Sequence, residues 1–202
     1  VVSSGHALPA AVLIGTGGLL PPTDVFDDDQ FTSNDFFGEA SDFYEALEGM
    51  RVTIDAPLVT SATNSFGETF VVASGGVGAT GVNSRGGITI SGNANNFDDY
   101  NPERIQIDDD SGLFAGFSPN YTQGDRLSNV TGIMSYNFQY YELLVTEAVT
   151  VTTDVGALTR ETTALDGTDN RLSIAAYNVE NLDPGDNKFD ILAADIVYNL
   201  GA

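Results

Sequence analysis

Oxygen ligands crowd together at Asp108-Asp109-Asp110-Ser111-Gly112, and carboxylates at that spacing suit a hard cation such as Ca²⁺. The run lacks the long loop with a closing glutamate that marks the EF-hand, so it equally fits an acidic hairpin turn. Asp27-Asp28-Asp29 poses the same alternative. His6 is the single histidine, beside small residues near one end of the chain. Acid–base work would require a partner held rigidly within hydrogen-bond reach, and a mobile terminal residue is the simpler reading.

Asn178 stands at the end of an apolar run, Leu172-Ser-Ile-Ala-Ala-Tyr-Asn-Val-Glu-Asn181. A neutral amide there can donate to a phosphate oxygen or accept toward a metal-bound water without adding repulsion. It can also hydrogen-bond its own turn, as asparagines at strand ends do. Glu180 and Asn181 read as a solvent-facing corner. Tyr136, Phe138, Tyr140 and Tyr141 offer faces on which single-stranded bases could stack, with Arg104 and Arg126 as the candidate cations. Core packing or an inter-domain face explains the same aromatics. Two Asn-x-Thr triplets, Asn120-Tyr121-Thr122 and Asn129-Val130-Thr131, matter only where the producing cell glycosylates at that signal.

These residues must be positioned by elements whose pattern changes along the chain. Leu8 to Ile14 reads as a short strand in an extended lead, interrupted by Gly17-Gly18 and Pro21-Pro22. Asp42 is placed as an N-cap with Glu45 closing a capping box, and Gly49 as a stop, so a short helix is expected over 42–48. From Met50 the period becomes two. Strands are expected around 50–54, 66–72, 87–90, 104–107, 127–136 and 140–145, with 147–153 as one more leading out. Glycine- and asparagine-rich turns between them indicate a small antiparallel barrel or sandwich. Residues 154–170 are rich in Thr, Gly and Asp and read as a linker. Beyond it, Leu172–Tyr177 reads as a strand, and Phe189, Leu192, Ala193, Ile196 and Leu200 recur at helical spacing behind Asp186 as a cap.

Composition narrows the possibilities. Among 202 residues there are 29 acidic and 7 basic side chains, a net charge of −22. Self-repulsion on that scale opposes compaction unless salt or bound cations screen it. It also excludes a broad DNA-binding surface, which needs Lys and Arg. Aspartate outnumbers glutamate, which fits a secreted protein of a saline or calcium-rich medium. The absence of cysteine excludes disulfides and thiolate metal sites. No apolar run reaches the roughly 18–20 residues of a membrane span, so no membrane partner is expected. The start at Val1 rather than Met reads as a processed or trimmed chain.

The run Leu172 to Asn181, an apolar strand ending in aromatic-Asn-Val, resembles the first strand of the endonuclease/exonuclease/phosphatase superfamily. Phe189-Asp-Ile-Leu-Ala-Ala-Asp-Ile-Val197 is similar to that domain's first helix. In secreted bacterial members a β-rich module of the OB type precedes the nuclease domain. Tyr44 to Ile54, Asn64 to Glu68, Asn101 to Asp108 and Gly124 to Gly132 resemble parts of such a module.

The resemblance implies a mainly β chain: a small antiparallel OB-like barrel, then a C-terminal βα unit that opens a truncated α/β sandwich domain. The implied organisation is an extended lead at 1–41, an OB-like β module at 42–153, a linker at 154–170 and the first βα unit of the nuclease domain at 171–202. It further implies a secreted, extracellular, divalent-metal-dependent phosphodiesterase, with Mg²⁺ as the parent's metal, DNA or RNA as its substrate and Asn178 as one member of its catalytic site. Structural Ca²⁺ at Asp108, Asp109 and Asp110 is the other cofactor expectation. The metal-binding glutamate of the next strand and the later Asp and His residues have no counterpart here, so the chain itself is expected to be the non-catalytic N-terminal portion, inactive alone. The alternative is a structural or interaction subunit of an extracellular assembly. In either case residues 171–202 should pack against the remainder of a nuclease domain or a neighbouring chain, because an unpaired strand is a template for strand addition.

Overall fold

The computed structural model describes residues 5–27, 36–90, 100–108, 112–156, 158–159, 162–163, 168–172, 174, 176, 178–179 and 182–199. The chain divides into two compact units, Val1–Ala157 and Leu158–Ala202.

The first unit is mainly β. Its nine strands are β1 (Val12–Ile14), β2 (Arg51–Ile54), β3 (Leu58–Val59), β4 (Thr69–Val72), β5 (Ile105–Asp108), β6 (Arg126–Leu127), β7 (Val130–Asn137), β8 (Tyr140–Val145) and β9 (Val151–Thr153). They form one curled sheet in the order β1-β2-β7-β8-β5-β4-β3-β6-β9, a half-barrel. The sheet is mixed: β1 runs parallel to β2 and β5 parallel to β8, while the remaining ladders are antiparallel. Period-two patterning reports burial and not strand direction, so the sequence shows strands without showing these two parallel joins. β1, from the segment read as a lead, belongs to the sheet edge, and Ile14 is fully buried in the core.

Alternation sets which residues face inward. In β2, Val52 and Ile54 are buried while Arg51 and Thr53 are half-buried. Val71, Ile105, Ile107, Leu143 and Val145 join them in one apolar cluster. Gly132 in β7 sits opposite Val145, and a Cβ there would collide with the Leu144 carbonyl, so the close approach of β7 and β8 requires glycine.

The helix α1 (Ala40–Glu45) closes the open side of the core. It begins two residues earlier than the expected span, with Glu39 at the N-cap position and Asp42 in the first turn, where a carboxylate favours the helix dipole without capping it. Phe43, Tyr44 and Leu47 are buried. α1 ends at Glu45, short of the expected end at 48; Gly49, at φ 73°, follows in the turn, and its N–H donates to the Met134 carbonyl (2.8 Å), tying the helix exit to β7. The segment around 87–90 makes only an isolated bridge between Val82 and Ile88.

In the second unit, α2 (Phe189–Ala194) continues as a π-helical turn over Asp195–Asn199. The expected strand at 172–177 falls partly outside the described residues. Leu172, Ile174 and Ala176 have no strand pairing, and Leu172 and Ile174 are 87% and 86% exposed.

Candidate functional site

Beside the β7–β8 hairpin, a groove of about 320 Å³ opens where the ends of β4, β5 and β8 meet α1, at the small end of ligand clefts (about 300–1,000 Å³). Register explains its make-up. Phe70 of β4 lies opposite Gln106 of β5, and Gln106 in turn pairs with Glu142 of β8. Side chains two residues apart share a face, so Arg104 and Tyr140 come to the face that carries Phe70.

Phe70 is the centre of that wall. The Arg104 guanidinium carbon lies 4.3 Å from its ring centroid, and the Tyr140 ring meets it edge-on at 5.3 Å. From the helix side, Tyr44 stacks on Tyr141 at 5.0 Å. Both phenols are fixed by donation, Tyr44 Oη to the Pro102 carbonyl (2.9 Å) and Tyr141 Oη to Glu45 Oε1 (2.9 Å).

Burial, then Glu103 and Tyr141, holds the Tyr44 phenol well above its ordinary range. Tyr141 is pushed up in the same way by burial and by its bond to Glu45. Both are neutral donors at physiological pH. Burial lowers the Arg104 pKa, opposed by Tyr140 and Glu103, and a guanidinium keeps its charge despite such a shift. Its buried Nε has no hydrogen-bond partner, and no hydrogen bond or ion pair involves the Arg104 side chain among the described residues, its backbone N–H donating to the Asn101 carbonyl (3.1 Å).

Backbone strain concentrates at the same place. The non-glycine residues with left-handed φ among those described are Ala56, Ser74, Asn101 (54°), Phe138 (46°) and Gln139 (73°). Asn101 and Gln139 line the groove, and Phe138 is the other half of the two-residue turn with Gln139. Such hairpin turns ordinarily use Asn-Gly because both central residues take positive φ.

The residues singled out in the sequence are dispersed. Tyr140, Tyr141 and Arg104 meet at the groove, whereas Tyr136 and Phe138 are exposed nearby and Arg126 is exposed on β6. Asp108 ends β5 fully inside, at 1% exposure, and accepts from Gln106 Nε2 (3.3 Å). Asp109 and Asp110 lie outside the described residues, as do Asp28 and Asp29. No group of three or more Asp, Glu, His or Cys side chains is arranged to hold a metal among the described residues. Asn178 is an exposed residue of the second unit, and His6 is exposed in the first. Glu180 and Asn181 are outside the described residues. Asn120 is exposed, and Asn129 uses its Oδ1 to accept from the Ala56 N–H (3.0 Å).

Sequence reasoning missed Phe70, Tyr44, Asn101 and Gln139 as neighbours of Arg104. The available signal was the hairpin itself, Asn137-Phe138-Gln139-Tyr140, where two strands join with no glycine in the turn.

The first unit is thus a β half-barrel module with an aromatic groove around one cation. A family model described as a domain of unknown function, DUF8508, matches residues 13–154, and the chain belongs to that family. No curated protein and no solved structure matches the chain.

Proposed function

We propose that the chain is the N-terminal, non-catalytic portion of a secreted, divalent-metal-dependent nuclease. In this reading residues 171–202 open the domain that hydrolyses phosphodiester bonds in DNA or RNA with Mg²⁺. The observation that carries the reading is the apolar sequence motif ending in Tyr177-Asn178-Val179, followed by α2 at Phe189–Ala194.

A second feature supports it. Leu172, Ile174, Phe189, Ile191 and Val197 are all exposed by about half or more, an arrangement that suits a strand and helix meant to be covered by further sheet. Asn178 would then meet the scissile phosphate or a metal-bound water, with its metal-binding and water-activating partners supplied by later strands. The same exposed side chains would serve the alternative, packing against a neighbouring chain of an extracellular assembly.

Reading the encoding gene past codon 202 tests the proposal. An in-frame extension should carry a glutamate at the end of a second strand and later Asp and His residues. Expressed as the longer product, it should cut DNA or RNA with Mg²⁺ and lose that activity on Asn178→Ala. A stop codon after Ala202, or Mg²⁺-dependent cutting by the 202-residue chain alone, would sink the idea. The assembly reading instead requires the purified chain to self-associate or capture a partner through residues 171–202, which sedimentation at rising concentration would show.

A further inference from the structure

We propose that the groove beside Arg104 binds a single nucleotide unit, with the base against the Phe70–Tyr140 wall and one phosphate on the Arg104 guanidinium. The first argument is the state of Arg104. In a chain with 29 acidic and 7 basic residues, a half-buried guanidinium without a hydrogen bond or ion pair among the described residues is a site for an oxyanion from outside. The guanidinium carbon lies 4.3 Å from the Phe70 ring centroid and Nε is buried, so the terminal Nη groups are the ones left to face a ligand. That is the geometry in which arginine takes a phosphate or carboxylate through paired hydrogen bonds.

The second argument is the wall. Tyr140, 47% exposed beside the cation, presents ring surface, and a planar base gains stacking there whatever its identity. Gln139 is exposed on the rim, and a primary amide can pair with a base edge through its donor and acceptor together. The turn that holds Gln139 is strained, with Phe138 and Gln139 both left-handed. Strain kept at a ligand-sized opening is the pattern of a functional site.

Charge limits the ligand to one unit. Arg104 is the one cation lining the groove among the described residues, and the net charge of −22 repels a longer polyanion. A free nucleoside monophosphate and the phosphorylated end of a short strand share this chemistry. The choice of a nucleotide over other ring-bearing anions rests on the nuclease reading above; the demand for a ring beside an oxyanion does not.

Titration calorimetry of the 202-residue chain at low salt tests the assignment, with AMP, adenosine, a 5′-phosphorylated tetranucleotide and glucuronate as probes. AMP should bind, and adenosine should bind about 10- to 100-fold more weakly, the value of a charge-assisted hydrogen-bond pair. A tetranucleotide matching AMP would identify the strand end as the source, and one that fails to compete would identify the free nucleotide. Arg104→Ala and Tyr140→Ala should each weaken AMP about 10-fold or more. Gln139→Ala, at an exposed turn position that keeps the fold, should weaken it by a smaller factor, and circular dichroism checks that each variant is folded. The proposal is overturned if AMP does not bind, if adenosine binds as well as AMP, if folded Arg104 and Gln139 variants bind unchanged, or if glucuronate binds in place of AMP. None of these outcomes alters the gene-extension test, so the two readings fail separately.

Discussion

Phe138 and Gln139 show how one residue position can carry both strain and use. Their φ values of 46° and 73° belong to the left-handed region, which costs a side chain with a Cβ roughly 1 kcal/mol or more. Replacing the pair with Asn-Gly should therefore stabilise the hairpin by about 1–2 kcal/mol, read as a rise in Tm of several degrees. Nucleotide binding should fall at the same time through loss of the Gln139 amide. An unchanged Tm would show that the turn is not strained. A second residue-scale expectation concerns the phenols. Burial pushes Tyr121 up to about 12, and Tyr44 and Tyr141 are also raised. Each acid holds its proton more tightly in the folded state, so stability is constant below the ordinary phenol pKa of about 10 and falls as pH rises from there toward 12. Urea midpoints measured between pH 8 and pH 11.5 should show that decline, and Tyr121→Phe should reduce its slope.

At the scale of elements, α1 adds Ala40, Phe43 and Tyr44 to the core beneath the sheet. Phe43 is fully buried and makes tilted and edge-on contacts with Phe36 at 5.0 Å and Tyr44 at 5.1 Å. Phe43→Ala should cost about 3–5 kcal/mol through lost transfer energy and a residual cavity, measured by chemical denaturation. A cost below about 1 kcal/mol would mean that α1 does not close the core. Much of this architecture was legible beforehand. β2, β7 and β8 form where period-two alternation places strands, and a short helix forms where one is expected, over Ala40–Glu45 rather than 42–48. β3 (Leu58–Val59) was not legible, because Ala56-Pro57-Leu58-Val59-Thr60 has no alternation to read: both strand residues are buried, and their pairing with β4 and β6 is long-range. The expected capping box at Asp42 failed for a related reason. The chain enters α1 through Ala40 and Ser41, whose N–H groups donate to Val25 and Phe26 carbonyls, and a long-range pairing of that kind moves the helix start.

For the molecule as a whole, charge is the dominant variable. A net charge of −22 over 202 residues should make stability strongly salt-dependent, since raising ionic strength from about 0.01 M to 1 M shortens the screening length from roughly 30 Å to 3 Å. Thermal melts across that range in NaCl should move upward, and a flat response would show that the acidic residues are already neutralised within the fold. The sequence by itself determined the mainly β class, the position of most strands, the acidity and the lack of thiol chemistry, because these follow from local alternation and composition. It also carried the Asn178 motif on which the nuclease proposal stands. Only the tertiary structure decided that β1 joins β2 and β5 joins β8 by parallel ladders, and that Arg104, Phe70, Tyr140 and Gln139 surround one groove. Phe70, Arg104 and the Gln139–Tyr140 pair are far apart in the chain, and register across neighbouring strands, which no local pattern encodes, brings them together.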